Sequence, residues 1–253
     1  VFYLSQLLTQ SLYHSLGIVR DFKPQVVVGT GGYVSGPVVL AAVLQGIPTL
    51  IQEQNSYPGL TTRLLAPWVD QVHLGFPSAI RYFRRRDNLR VSGNPTRAGL
   101  AAVDEPRARE RFGLDRDRLT ILVLGGSQGA HSINRAMLEA LGELKAGSGV
   151  QILWQTGDKD YEWVKEGSIA CGPKVVVERF IHDMAWAYGA ADLVICRAGA
   201  ITIAELTRCG LPAILVPYPF AAADHQLFNA RTLVEAGAAK MVLDHELNGK
   251  RLS

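Results

Sequence analysis

The segment from Gly125 to Ala130 combines residue types that could bind a phosphate group. It follows the apolar run Leu122 to Leu124 and precedes a helix-length segment, so the chain is expected to turn there from a strand into a helix. Glycines let a backbone approach a phosphate closely, and a helix start offers N–H groups and a positive dipole end. Ser127 adds a hydroxyl donor. A tight turn that binds no ligand is the alternative.

A second glycine turn, at Gly199, also follows an apolar run and predicts a second anion-binding helix start. The helix is expected to span Ala200 to Arg208, because Gly210 is a typical helix stop. Glu205 lies about one and a half turns into this helix, where its carboxylate could accept hydrogen bonds from both hydroxyls of a ribose. A solvated surface glutamate is the other interpretation.

Polar residues after other apolar runs could extend such a site. The irregular loop Gly29 to Pro37 and the polar run Gln52 to Asn55 each follow a predicted strand, at the end where parallel sheets bind ligands. Asp224 and Gln226, at the start of a later helix, could hydrogen-bond sugar hydroxyls, although Asp224 is equally consistent with a helix N-cap. Each polar loop could also simply be solvated.

These candidate residues require a framework of parallel strands. Short apolar runs alternate with helix-length segments, which predicts α/β sheets with crossover helices. No strand is predicted between Asn94 and Arg118, so we place a domain boundary after Arg97, giving domains 1–97 and 98–253. The first domain has few strand candidates and opens on a helix, so an upstream piece is expected to be absent. The runs are Val26–Val28, Thr49–Ile51, Val72–Leu74, Thr120–Leu124, Gln151–Trp154, Val175–Val177, Leu193–Ile195 and Ala213–Val216.

Bulk properties exclude several classes of protein. The chain has 26 basic and 23 acidic side chains and a net charge of +3, too balanced to predict a nucleic-acid partner. Its three cysteines, Cys171, Cys196 and Cys209, lack zinc or redox spacing and are predicted to be reduced thiols. No apolar run approaches the roughly 18 residues of a membrane span, so a membrane contact would be peripheral. A cation interrupts each of the aspartate pairs at 115–117 and 158–160, and no metal is predicted.

A basic and aromatic segment, Arg81 to Arg86 with Arg90 nearby, could contact anionic lipid headgroups or form a solvated loop. The leading helix adds a stripe of leucines, a pattern that most often packs on a core. The stripe consists of Leu4, Leu7, Leu8, Leu12 and Leu16.

Together these segments resemble the MurG family of bacterial transferases, which add N-acetylglucosamine to a lipid-linked muramoyl pentapeptide. Seven segments carry the resemblance in the family's order and span nearly the whole chain. They are Gly29–Pro37, Glu53–Asn55, Gly93–Arg97, Gly125–Ala130, Phe180–Met184, Arg197–Glu205 and Asp224–Ala230.

The resemblance implies a GT-B fold, in which two Rossmann-like domains with parallel sheets face each other across a cleft. It implies donor contacts at Asn55, Arg97, Ser127, Ile181, Ala200, Ile201, Thr202, Ile203, Ala204, Glu205 and Gln226, with phosphate loops at Gly125, Gly126, Gly129 and Gly199. Within that set, the Ile181 backbone would bind uracil, Glu205 the ribose and Gln226 the sugar hydroxyls. Glu53 would be the acceptor-side catalytic residue, beside an acceptor loop containing Gly31, Gly32, Tyr33 and Ser35.

The implied reaction is transfer of N-acetylglucosamine from UDP-N-acetylglucosamine to lipid I, forming lipid II with inversion and without a cofactor or metal. The family's setting is peptidoglycan synthesis, cell division and cell shape, at the cytoplasmic face of the inner membrane, with an anionic lipid surface contacting the N-terminal domain. Gln52 and Ala198 stand where many relatives carry His and Ser. The family's N-terminal glycine-rich loop, with its histidine base, has no counterpart here, and a closing C-terminal helix is also expected to be absent. Such a piece could bind donor without turnover.

Other functions remain open from the residues. They are a GT-B transferase for another lipid acceptor, a nucleotide-sugar epimerase and a non-catalytic nucleotide-sugar-binding module. A nicotinamide dehydrogenase is disfavoured, because it would need an acidic residue about 20 positions after the glycine turn. Gln155 and Thr156 stand there instead.

Overall fold

The computed structural model describes residues 2–144, 149–169 and 172–252, with side chains described from residue 6 onward. The chain divides into two compact units, Val1–Asn94 and Pro95–Ser253. Arg97, after which the sequence pattern places the domain boundary, therefore lies in the second unit. Cys171 lies outside the described residues.

The first unit contains a parallel sheet whose strands follow one another in chain order, β1-β2-β3-β4. The short strand β4 is not predicted from the sequence, because the charged Arg90 interrupts its Leu-Arg-Val run. The strands are β1 (Val27–Gly29), β2 (Thr49–Glu53), β3 (Gln71–Leu74) and β4 (Leu89–Val91). The helices are α1 (Phe2–Phe22), α2 (Ser35–Leu44) and α3 (Leu60–Leu65).

Asp70 joins the amino ends of β2 and β3. Its Oδ2 accepts a hydrogen bond from the backbone N–H of Thr49 at 2.8 Å and another from the Thr49 hydroxyl at 3.0 Å. These two bonds, the backbone one first, hold the pKa of Asp70 below its ordinary value because they favour the charged carboxylate. The side chain thus fixes the start of one strand against its neighbour.

The second unit contains a six-stranded parallel sheet with the order β10-β9-β8-β5-β6-β7. Its strands are β5 (Leu119–Leu124), β6 (Val150–Gln155), β7 (Lys174–Glu178), β8 (Leu193–Cys196), β9 (Ala213–Leu215) and β10 (Ala239–Met241). Its helices are α4 (Glu105–Arg111), α5 (His131–Glu143), α6 (Tyr161–Ser168), α7 (Met184–Ala190), α8 (Ala200–Cys209), α9 (His225–Glu235) and α10 (Gly249–Leu252).

The strand order of this sheet reverses at β5. The chain proceeds outward on one side through β6 and β7, then returns to β8 and proceeds outward on the other side. Crossover helices of α/β sheets diverge at such a switch point, which opens a crevice outside the carboxyl ends of the two central strands. The two parallel sheets confirm the predicted α/β class.

The core of the second unit is a layer of apolar side chains between the sheet and its helices. Trp154, Ile133, Met137 and Leu141 are each at most 2% exposed. The indole N–H of Trp154 donates to Asn134 Oδ1 at 2.9 Å, so this large buried ring has its polar atom paired.

The leucine stripe of α1 is only partly covered. Leu12 and Leu16 are half-buried, whereas Leu7 and Leu8 are 44% and 55% exposed. The buried positions of this helix are Ser15 and Val19, and the Leu4 side chain lies outside the described ones. The expected packing of the stripe on a core therefore holds only for the second half of the helix. In the described ranges, no helix has the length and apolar character that a membrane span requires.

Candidate functional site

Two helices of the second unit begin beside the switch point of the sheet. The turn Gly125–Ala130 leads from β5 into α5, and Arg197–Gly199 leads from β8 into α8. The N-cap residues of these helices, Ala130 and Gly199, make no side-chain capping hydrogen bond. Each helix start carries the positive end of the helix dipole, which favours an anion.

The glycines of the first turn have different roles. A Cβ on Gly129 would lie 1.9 Å from the Thr156 carbonyl oxygen, and a Cβ on Gly125 would lie 2.1 Å from the Ala130 nitrogen. Both are therefore needed for close packing of the backbone on itself. Gly126, with φ +84°, has no atom within 4 Å of the position a Cβ would take, so this residue has open space for a ligand.

A cavity of about 750 Å³ lies at this edge of the sheet, within the second unit. Its volume is in the range of small-molecule and cofactor sites. Several predicted residues line it: Arg97, Gly125, Gly126, Ser127, Gly129, Ile181, Gly199, Thr202, Glu205 and Gln226. Four predicted residues of α8, namely Ala200, Ile201, Ile203 and Ala204, are not part of this lining as the second unit is described. Ile203 is 2% exposed and packs in the core.

Glu205 lies in the wall of the cavity with its carboxylate 3.0 Å from the Tyr188 hydroxyl, which donates to Oε2. Both residues are buried. Burial, and then the negative charge of Glu205, raise the pKa of Tyr188, so the phenol keeps its proton and remains a donor. The solvated-glutamate interpretation is therefore wrong for Glu205.

Gln155 connects the phosphate-type turn to the loop that carries Ile181. Its Nε2 donates to the Gly126 carbonyl oxygen at 3.0 Å, and its Oε1 accepts the Ile181 N–H at 2.8 Å. The backbone N–H of Ile181, predicted to bind a base, is thus already paired with a side chain in this structure. Gln155 could have been predicted as a site residue from the sequence, because it lies at the carboxyl end of a strand. The same position relative to a strand identifies Gln52 to Asn55 as candidates.

Gln226 holds the loop after β9 against the turn after β8. Its Oε1 accepts the N–H of Tyr218 at 2.9 Å and that of Ala198 at 3.2 Å, which leaves its amide nitrogen for a ligand. Asp224 occupies the N-cap position of α9 with φ 52°, but its side chain makes no capping hydrogen bond. Asp224 is thus the N-cap residue of α9, as one interpretation of the sequence predicts, but its side chain does not cap the helix.

Arg197 and Cys196, at the end of β8, also line the cavity and were not predicted as site residues. The Arg197 guanidinium donates to Asp244 and to Ser132 Oγ, the latter at 2.9 Å, and so links three segments of the wall. Cys196 is 1% exposed, and burial raises the pKa of its thiol to about 12. Both Cys196 and Cys209 are free thiols.

The predicted residues of the first unit form a different arrangement. Glu53 is 3% exposed, and its two carboxylate oxygens accept the backbone N–H groups of Asn55 at 3.1 Å and Gly59 at 3.0 Å. Tyr33 is 86% exposed on the loop with Gly31 and Gly32, and the Ser35 hydroxyl donates to the Gly32 carbonyl. Glu53 thus organises its own loop, and its acceptor-side role stays a prediction.

One aspartate of each pair contacts a basic side chain. Asp115 contacts Lys174 at 2.8 Å, which lowers the pKa of Asp115, and Asp160 contacts His131 at 3.1 Å. Where side chains are described, no group of three or more His, Cys, Asp or Glu residues is placed to hold a metal ion.

Comparison with known proteins identifies the family. The model of the glycosyltransferase family 28 C-terminal domain matches residues 120–253, and that of the N-terminal domain matches residues 3–74. The crystal structure of Acinetobacter baumannii MurG is similar with a TM-score of 0.79 and 34% identity, over 97% of this chain and 67% of that one. A Neisseria meningitidis UDP-GlcNAc 2-epimerase bound to UDP-GlcNAc has a TM-score of 0.66 over 98% of this chain and 71% of its own, but only 14% identity, which shows a shared fold alone.

Among curated proteins, the chain is 46% identical over 244 residues to the Desulforamulus reducens UDP-N-acetylglucosamine–N-acetylmuramyl-(pentapeptide) pyrophosphoryl-undecaprenol N-acetylglucosamine transferase. That match covers 94% of this chain and 66% of the relative. In the next two relatives the chain spans 63% and 64% of their length. On these matches the chain belongs to glycosyltransferase family 28 and, within it, to the MurG family.

Proposed function

We propose that the protein binds UDP-N-acetylglucosamine in the cavity of the second unit and transfers its sugar to lipid I, forming lipid II. The observation that carries the proposal is the combination, in one cavity, of two helix starts with the buried carboxylate of Glu205. The helix starts suit a diphosphate, and the carboxylate suits a ribose diol. The names of the relatives supply the sugar and the acceptor.

The proposed reaction is a direct displacement with inversion. The acceptor hydroxyl forms a bond to the anomeric carbon while the bond from that carbon to the β-phosphate oxygen breaks, and the hydroxyl proton passes to a base. UDP leaves with additional negative charge. The starts of α5 and α8, together with the exposed Arg97 side chain at the cavity, stabilise that charge. Thr202 and Ser127 add hydroxyl donors.

Calorimetric titration tests the donor assignment. UDP-N-acetylglucosamine is compared with UDP-glucose, UDP-N-acetylgalactosamine and NAD, with and without EDTA. We expect preference for UDP-N-acetylglucosamine that EDTA does not change, and a loss of at least about ten-fold in Glu205→Ala, because hydrogen bonds to a charged group are lost. Gln226→Ala is expected to reduce the preference for the N-acetylglucosamine nucleotide.

Glu166→Ala, which removes an exposed carboxylate on α6, is the matched control and should bind donor as the unsubstituted chain does. Failure of the folded chain to bind any uridine nucleotide contradicts the donor assignment. Transfer of labelled sugar from UDP-N-acetylglucosamine to a solubilised lipid I analogue tests the reaction itself. Release of free sugar or epimerised nucleotide without transfer would favour the alternative chemistries.

We also propose that the first unit binds an anionic membrane surface, at the cytoplasmic face of the bacterial inner membrane. Lipid II made there would be used in cell-wall growth, and so in cell division and the maintenance of cell shape. Arg81, Arg84, Arg85 and Arg86 are exposed in the first unit. Arg85 donates to the Pro67 carbonyl at 3.0 Å, beside Trp68, whose exposed fraction is 67%. A basic patch beside an exposed indole suits a headgroup layer. Phe83 of the same segment is instead buried in the core.

Co-sedimentation with vesicles tests this surface. We expect binding to phosphatidylglycerol vesicles and little binding to phosphatidylcholine, with a drop of at least about 30-fold when Arg84 and Arg86 are both changed to Glu, since each of the two cations contributes about 1 kcal/mol. The control changes Arg107 and Arg231, two exposed arginines of the second unit, to Glu. An equal loss in both double variants would mean that net charge, and not this patch, determines binding.

A further inference from the structure

We infer that Tyr188 is a positioning residue for nucleotide recognition, because its hydroxyl holds the Glu205 carboxylate in the orientation that receives the ribose diol. The inference rests on the proposed function and deepens it. Ribose would then be recognised by a pair of residues from two helices, and not by the carboxylate alone.

The geometry places the pair in the wall of the cavity. Tyr188 lies on α7 and Glu205 on α8, and the hydroxyl-to-carboxylate distance is 3.0 Å. Tyr188 is 3% exposed and Glu205 is 9% exposed, yet both contribute to the cavity lining. The hydrogen bond therefore lies at the boundary between the protein interior and the space for a ligand.

The Glu205 carboxylate can accept more hydrogen bonds than the described protein residues donate to it. As far as the chain is described, the Tyr188 hydroxyl is the one hydrogen-bond donor to Glu205, and no cation pairs with it. An ionised carboxylate can accept about four hydrogen bonds, and a buried one with a single donor has lost much of its hydration. The two hydroxyl groups of a ribose would donate the additional hydrogen bonds that this carboxylate can accept.

A fixed carboxylate binds such a ligand better than a mobile one. A glutamate side chain has several rotatable bonds, and ordering them on binding reduces affinity. The Tyr188 hydroxyl orders the carboxylate beforehand, and the pKa of the phenol is raised by burial and by the Glu205 charge, so the donor is retained at neutral pH. A tyrosine that served packing alone would affect stability and not ribose recognition.

Binding of UDP and of 2′,3′-dideoxy-UDP to the whole chain separates these roles. In Tyr188→Phe we expect affinity for UDP to fall about ten-fold, and affinity for the dideoxy nucleotide to stay within about two-fold, because only the diol uses the oriented carboxylate. Tyr161→Phe on α6, a tyrosine outside the cavity, is the matched control and should change neither affinity.

The outcomes distinguish the inference from the proposed function. If the unsubstituted chain binds neither nucleotide, the donor assignment fails. If Glu205→Ala abolishes the preference for UDP while Tyr188→Phe keeps it in full, the donor assignment stands and the positioning role is wrong. An equal loss for both nucleotides in Tyr188→Phe would also overturn it, since that result indicates a packing role.

Tyrosine ¹³Cζ NMR on the unsubstituted chain keeps the inference testable if Tyr188→Phe does not fold. The Tyr188 resonance, assigned by its change in Glu205→Gln, should shift when UDP binds and move little with 2′,3′-dideoxy-UDP. Equal shifts with the two nucleotides would show that the phenol does not sense the diol.

Discussion

The carboxyl ends of β2 and β6 both carry polar residues, yet the two units use them differently. In the first unit, Gln52 and Gln54 hydrogen-bond to Asn94 and to the Thr30 carbonyl, and Glu53 closes its own loop. In the second unit, Gln155 connects two loops that surround a cavity of about 750 Å³.

The two described sheets also differ in strand order. The described strands of the first unit follow one another in chain order. The second sheet reverses its order at β5, and there the chain opens a crevice. In the second unit, the polar residue Gln155 thus lies at a strand end where the topology also leaves space for a ligand.

The largest expected loss of stability comes from a substitution that disrupts the backbone packing at the glycine turn beside the cavity. Gly129→Ala should destabilise the second unit by at least about 3 kcal/mol, because the new Cβ would overlap the Thr156 carbonyl and the backbone has φ +76°. Gly126→Ala, at φ +84° in open space, should cost only about 1 kcal/mol. Denaturant unfolding of both variants measures the difference. Equal costs would show that the two glycines do not differ in role.

A second prediction compares two glutamines. Gln155→Leu should cost about 2 kcal/mol, since it leaves the buried Ile181 N–H without its partner and removes one of the two hydrogen bonds to the Gly126 carbonyl. Gln54→Leu should cost less than about 1 kcal/mol, because its site is half-exposed and water can replace the lost bonds. Urea unfolding of both variants is the measurement, and a larger cost for Gln54→Leu would reverse the comparison.

Glu53→Gln tests whether the first unit uses this carboxylate for its own loop. An amide offers one acceptor where two backbone N–H groups need one each, so we expect a loss of about 1 to 2 kcal/mol in unfolding free energy. Glu110→Gln, at an exposed position of α4, is the control. A Glu53 variant as stable as the parent would mean that the carboxylate is held for another purpose.

The smallest effect concerns Asp70 and depends on pH. Because the folded-state pKa of Asp70 is lowered, its stabilisation is present above the unfolded-state value of about 4 and is lost as pH falls through the folded-state pKa. Asp70→Asn should therefore be less stable than the parent at pH 7, with the difference shrinking in acid. Urea unfolding at several pH values checks this, and a difference that does not vary with pH would exclude the carboxylate as its cause.

Much of the framework could be predicted from sequence because its signals are local. Apolar runs bounded by glycine or proline predict eight of the strands, and the helix Ala200–Cys209 has a glycine at each end. The strands β4 and β10 could not be predicted in this way, since a charged residue interrupts each of them, Arg90 in Leu-Arg-Val and Lys240 in Ala-Lys-Met. Their pairing with a neighbour, which is a tertiary interaction, determines them.

The candidate site was predictable where a motif lies on one segment. Ser127 and Glu205 belong to glycine-turn segments and lie at the cavity. Tyr188, Arg197 and Asp244 contribute through contacts between distant segments, and a single sequence gives no distance between them. Ile203 and Ala204 do not line the cavity, because only one face of their helix reaches it, and the sequence motif does not distinguish the faces.

The buried thiol of Cys196 gives the molecule an internal reporter. A thiol that is 1% exposed with a pKa of about 12 presents almost no thiolate to an alkylating reagent, so it reacts only when the surrounding structure opens. Cys209 is only half-buried and should react before Cys196. Since Cys196 lines the cavity, its alkylation rate measures local opening at that position, and a bound ligand that closes the cavity would protect it.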